Sequence, residues 1–154
     1  MPLNAKTLED ALLKFMDKED KEFEGFPKDA KEVAEYWMGA TKEFFSELAL
    51  PTLLPKTLDL AEKAGIAAML PDLKAKTPSF PIAIQKGLTA FASTFTAGAT
   101  PPQIVAPPPA PFVLPVSSPV DDPSIPAKKI ATTILAWAIT GTVAIPPAAP
   151  TPWS

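Results

Sequence analysis

Residues 100–126 read TPPQIVAPPPAPFVLPVSSPVDDPSIP, and this run limits the fold more than any other part of the chain. Proline has a fixed φ and no backbone donor, so such a run suits neither a helix interior nor a central strand. Extended chain, in part polyproline II, is the expected conformation. The residues between the prolines are not those of a linker. Ile104, Val105, Phe112, Val113, Leu114 and Val116 are apolar, and only Asp121 and Asp122 carry charge, whereas disordered linkers combine low hydrophobicity with ample charge. Burying one such apolar side chain is worth roughly 1.5 to 3 kcal/mol, so the arm is expected to lie in a groove.

The run belongs to a chain with two unlike parts. Up to Lys76 there are 26 charged residues and five prolines; beyond it there are five charges and 16 prolines. The first part reads as helices, giving a mainly α fold: a small helical domain over residues 1–99, the extended arm over 100–126, and a C-terminal helix with an extended tail over 127–154. Leu8, Ala11, Leu12, Phe15 and Met16 recur at helical spacing, with Thr7 and Asp10 as a capping pair. A second helix is expected from Pro27 through Leu48, stopped by Pro51, with Gly25, Phe26 and Pro27 separating it from the first. A third runs from Pro55 to a stop at Pro71. A fourth, PIAIQKGLTAFASTFTAG, has Lys86 as its only charge and is expected to be covered on more than one face. In AKKIATTILAWAITGTVAI, Gly141 marks the helix stop, and Thr132, Thr133, Ala136 and Thr140 form a strip of small residues.

Composition removes several classes of chemistry. The formal charge is −3 and all 14 basic residues are lysines, so no guanidinium fork is present to read phosphates or base edges and no nucleic-acid partner is expected. Histidine and cysteine are absent, which removes the usual neutral-pH base, the thiol nucleophile and the commonest metal ligands. The six glycines are dispersed, with no P-loop, dinucleotide fingerprint or G-x-S-x-G. Neither enzyme activity nor a cofactor is expected. The opening residues reach acidic side chains by Glu9 without an apolar stretch of signal-peptide length, which argues against export.

Four local features carry a functional reading beside a plain one. Residues 17–25, DKEDKEFEG, are rich in carboxylates, but a calcium loop starting at Asp17 would place Lys21 and Glu22 at its fifth and sixth positions, where a ligand and a glycine belong. A solvated helix end is the better reading. Pro108 and Pro111 give a P-x-x-P spacing without the basic residue that orients an adaptor ligand, which favours a structural arm. Trp37 and Trp137 fall on apolar helix faces, while Trp153, in an extended tail, must lodge either against a neighbour or against its own chain. Residues 130–145 lack charge after Lys128 and Lys129 and superficially resemble a short membrane anchor, yet they fall below the about 20 residues that span a bilayer.

The helical front, the low-charge proline-rich arm and the ending TTILAWAITGTVAIPPAAPTPWS resemble small structural proteins of tailed bacteriophages, of the kind found in tails, baseplates or other virion layers. The resemblance covers chiefly the last 30 or so residues and the style of residues 100–126. It implies a non-enzymatic subunit of a virion, assembled in the host cytoplasm among homo- or hetero-oligomeric neighbours. On that reading Ile104, Val105, Phe112, Val113, Leu114, Val116, Trp137 and Trp153 meet neighbouring subunits, and prolines reduce the ordering entropy of docking. Cutting the chain at Thr100 is then expected to leave a helical domain that no longer joins the particle. The rivals are a small membrane-associated protein anchored through residues 130–145 and a cytosolic assembly chaperone absent from the finished particle.

Overall fold

Apolar side chains at helical spacing become five helices in the computed structural model, which describes residues 3–16, 29–48, 55–76, 80–98, 104–108, 124–144 and 146–153. The chain is mainly helical, with little strand. In order the elements are α1 (Ala5–Met16), α2 (Ala30–Phe45), α3 (Pro55–Leu73), α4 (Phe80–Ala97), β1 (Ile104–Ala106), α5 (Ser124–Ala138), β2 (Thr142–Ala144) and β3 (Thr151–Pro152).

Helix α1 starts on Asn4, whose Oδ1 accepts the Lys6 N–H at 2.9 Å, so the sequence reading of Thr7 as the cap is corrected. With the helix already begun, the Thr7 hydroxyl is turned outward and donates to Glu47 Oε1 at 2.7 Å, tying α1 to the end of α2. Asp10, its supposed partner, pairs with Lys6 at 2.8 Å. Helix α2 starts on Asp29, whose Oδ1 accepts the Glu32 N–H at 2.9 Å. It closes where the Ser46 N–H meets the Lys42 carbonyl at 2.9 Å; Gly25, Phe26, Pro27 and Pro51 lie outside the described residues. Pro71, read from the sequence as the stop of α3, sits inside it. The ring removes one N–H but leaves the following turn free to form, and Lys74 N–H closes on the Leu70 carbonyl at 2.9 Å.

Helices α3 and α4 run antiparallel, as the Asp72–Lys86 ion pair at one end (2.8 Å) and the contact of Thr57 with Gly98 at the other show. They approach closely because Gly65 and Gly87 meet at the crossing. A β-carbon on Gly65 would sit 3.1 Å from the Gly87 carbonyl oxygen, and one on Gly87 would sit 2.5 Å from Met69 Cγ. Helix α4 buries Ala83, Ile84, Gly87, Leu88, Phe91, Ala92 and Phe95 and packs on α3, α2 and β1, which explains how so uncharged a helix is accommodated. Helix α5 packs on α1 through a face of Ala127, Ala131, Ile134 and Ala138, all fully buried. It begins three residues before the boundary read from the sequence, with Pro126 in the first turn, where a missing N–H costs nothing.

The strands form one antiparallel sheet in the order β1-β2-β3. Val105 faces Val143, and Val143 faces Thr151. Strand β2 thus links the start of the proline-rich arm on one edge to the tail on the other, and one hydrophobic cluster joins residues from α1 to Trp153. Residues 130–145 do not form one apolar rod: α5 ends at Ala138 and the chain turns into β2. Among the described residues no helix is long and apolar enough to cross a membrane.

The glycine crossing makes a specific demand on size. Gly87→Val is expected to cost about 1 to 3 kcal/mol in urea unfolding, because the new side chain must displace Met69 in a filled core. Gly39→Ala, in α2 with no atom within 4 Å of the new methyl, should instead gain about 0.5 to 1 kcal/mol from helix propensity.

Candidate interaction surface

The residues expected at a neighbour contact separate into three groups. Ile104 and Val105 lie in β1, with the Ile104 backbone opposite Ala144 and the Val105 side chain partly buried against the core. Phe112, Val113, Leu114 and Val116 lie outside the described residues, as do Asp121 and Asp122. Trp137 and Trp153 are inside the chain's own core, 5% and 1% exposed. Of the two destinations the sequence left open for Trp153, its own chain is the one it takes.

The reason is a complementary socket. The Trp153 ring meets Phe45 edge-on at a centroid distance of 5.8 Å and Phe95 at 5.7 Å, while Phe45 also contacts Phe91 at 5.3 Å. Edge-to-face contacts of this kind each add about 0.5 to 1.5 kcal/mol beyond the area they bury. The polar atoms are also satisfied: the indole N–H donates to the Thr142 carbonyl at 3.1 Å and the backbone N–H to the Gly141 carbonyl at 2.9 Å. Gly141 closes the last turn of α5 on the Ala138 carbonyl at 3.0 Å, but close approach is what demands glycine there. A β-carbon would lie 2.6 Å from Trp153 Cδ2 and 3.1 Å from Pro108 Cδ.

Among the described residues, two surface depressions stand out. Between α2 and α3, Glu35, Asp59, Glu62, Lys63 and Ile66 line a recess of about 590 Å³. Beside it Lys42 bridges Asp59 and Glu62, the latter at 2.9 Å. The hydrogen bond from Lys42 holds the Asp59 carboxyl below the usual range, and Asp59 then Glu62 raise Lys42 above the usual lysine value. Among the described residues no three potential ligands are grouped to hold a metal ion; residues 17–25 lie outside them.

The second depression, of about 850 Å³, follows the outer face of α5 along Ile125, Lys128, Lys129, Thr132, Thr133 and Ala136, with Glu9 of α1 on its rim. The small-residue strip in the sequence marked part of this face. Ile125 was missed because it falls in the proline-rich run, which gives no sign that a helix has begun. Other apolar side chains also face outward: Leu60 on α3, Phe80 and Ile82 on α4, and Ile139 just after α5, between 44% and 59% exposed.

Three measurements follow from these contacts. Trp153→Ala should lower stability by about 3 to 5 kcal/mol in denaturant, as expected for emptying a large aromatic site, and Gly141→Ala should weaken the fold by displacing the same ring. With all three tryptophans at most 7% exposed, emission should be blue-shifted and poorly quenched by acrylamide. For Lys42, the sign is set by both partners: the depressed Asp59 contribution is present above the ordinary aspartate pKa and lost as pH falls through its lowered folded value, and the raised Lys42 contribution is lost as pH rises through its raised folded value. Thermal midpoints of wild type and Lys42→Met should therefore differ most between those limits and converge in acid. Comparison with protein-family models, characterised proteins and solved structures finds no match to this chain.

Proposed function

We propose that the chain is a non-enzymatic structural subunit of a multi-chain particle, with a bacteriophage virion as the setting its sequence style resembles. The observation that carries this reading is apolar surface left outward on an otherwise well-filled fold. Phe80 and Ile82 share the start of α4, and Ile125 and Ile139 lie towards the two ends of α5. Burial of such side chains between subunits supplies a driving force that a lone chain leaves unused. The apolar run Phe112, Val113, Leu114 and Val116 adds contact area on a backbone that proline has already stiffened.

The tail has a different role in this reading from the one its sequence implied. Since Trp153 fills the chain's own core, contact with neighbours falls to residues 109–123 and to the outward faces of α4 and α5. Cutting at Thr100 also ceases to be a clean experiment, because it removes α5 and the ring that covers Phe45 and Phe95.

The better test replaces Phe112, Val113, Leu114 and Val116 together by serine in the full chain. Helical circular dichroism should be retained, while the amount found by mass spectrometry in particles purified from the encoding host's phage should fall at least about tenfold, as for loss of a few buried apolar anchors. Undiminished incorporation would remove these side chains from the contact. Absence of the wild-type chain from particles, with flotation on lipid vesicles, would overturn the reading in favour of a membrane role.

A further inference from the structure

We infer that segment 146–153 is exchangeable between copies of this chain: Trp153 leaves the socket of its own fold and fills the same socket in a second copy. The inference extends the subunit reading for its setting and stands on the socket's own contacts for its content. It adds a contact to the outward faces of α4 and α5, because the ring stays buried while the socket becomes a neighbour's.

The contacts that hold the segment are made by residues outside it. The ring rests on Phe45 of α2 and Phe95 of α4, at 5.8 and 5.7 Å. Its indole N–H donates to the Thr142 carbonyl, the Trp153 backbone N–H to the Gly141 carbonyl, and the Thr151 hydroxyl to the Val143 carbonyl at 3.2 Å. Residues 146–152 are exposed, and only the ring is buried. A second copy presents the same aromatic pair and the same three carbonyls in the same geometry. Exchange therefore breaks and remakes identical contacts, and no new complementarity has to be found. The occupant is named by what the socket already holds, an indole on a strand in register with β2.

The connection favours the exchange. Strand β2 ends at Ala144 and β3 begins at Thr151, and three of the five residues 146–150 are prolines. Proline fixes φ and favours extended polyproline II, whereas pairing back onto β2 of the same chain requires a reversal within this short stretch. Short, stiff hinges invite exchange, since the segment that resists turning back can run straight on. Straightened, the five residues span about 15 Å, enough to carry β3 to a copy packed alongside. Concentration then decides between the two closures, because return to the home socket is set by the hinge and transfer to another by the density of copies.

The strand register supplies a direct test, because the chain has no cysteine and Val143 faces Thr151 across β2 and β3. Full chains carrying Val143→Cys alone and Thr151→Cys alone are refolded together at high concentration and oxidised with glutathione disulfide. The mixed disulfide dimer should form in at least about tenfold the yield of dimer from either variant alone, since only exchange brings these positions of two copies within bonding distance. A mixture that yields no more dimer than the single variants overturns the inference. Hinge length gives a second reading with ring and socket intact. Deleting Ala148 and Ala149 denies the ring its own socket, so this variant should sediment as a dimer or larger with tryptophan emission as blue-shifted as in the wild type. Inserting Gly-Ser-Gly-Ser-Gly after Ala149 eases the reversal and should weaken self-association by about tenfold while retaining the thermal midpoint. A shortened chain that folds as a monomer, or a lengthened chain that associates as the wild type does, also overturns it; where the shortened chain does not fold, the disulfide decides. Particle incorporation separates the exchange from the subunit reading: exchange by a chain absent from particles sinks the setting alone, whereas particles that contain the two cysteine variants but yield no disulfide between copies sink the exchange alone.

Discussion

The indole of Trp153, lodged between Phe45 and Phe95, is the contact through which the remaining parts communicate. Phe45 lies at the end of α2 and Phe95 in the last turn of α4, so one ring closes the space between two helices that arise from distant parts of the sequence. Its position also organises the strands. The backbone N–H on the Gly141 carbonyl and the indole N–H on the Thr142 carbonyl align the tail beside β2, and β2 in turn holds β1. Sheets of strands this short have little independent stability. Here the sheet persists as the strap over an aromatic plug.

Helices α1 to α4 were legible because each repeats apolar residues at a helical period long enough to outweigh local ambiguity. Their ends were less so. Asn4 and Asp29 cap where Thr7 and Pro27 offered competing signals, and Pro71 is accommodated within the last turn at the loss of its own N–H bond, while the turn after it still closes on the Leu70 carbonyl. The sheet left almost no trace. Strands of two and three residues show no alternation to read, and their pairing joins segments that spacing alone does not connect.

The surface was legible in part for a similar reason. Composition showed that apolar residues exceed what a linker needs, but not which of them the chain keeps for itself. Trp153 and Ile125 illustrate the difference: the larger, in a tail, is almost fully buried, while the smaller, at the start of a helix, faces outward. The uneven charge has a physical reading as well. The described ion pairs lie on α1, α2, α3 and α4, each made by a lysine on an exposed or partly exposed face. Such pairs add little stability. They keep the outer faces of those helices wet, while the outer face of α5 presents threonines, alanine and two lysines.

The order of synthesis gives the aromatic plug a further meaning. Phe45 leaves the ribosome early, yet the ring that shields it emerges only with residue 153. Until that residue emerges a nascent chain therefore carries an open, greasy socket, and one interrupted before it keeps the socket open. Chaperones and proteases recognise such surface, so the arrival of Trp153 is what withdraws it from their attention.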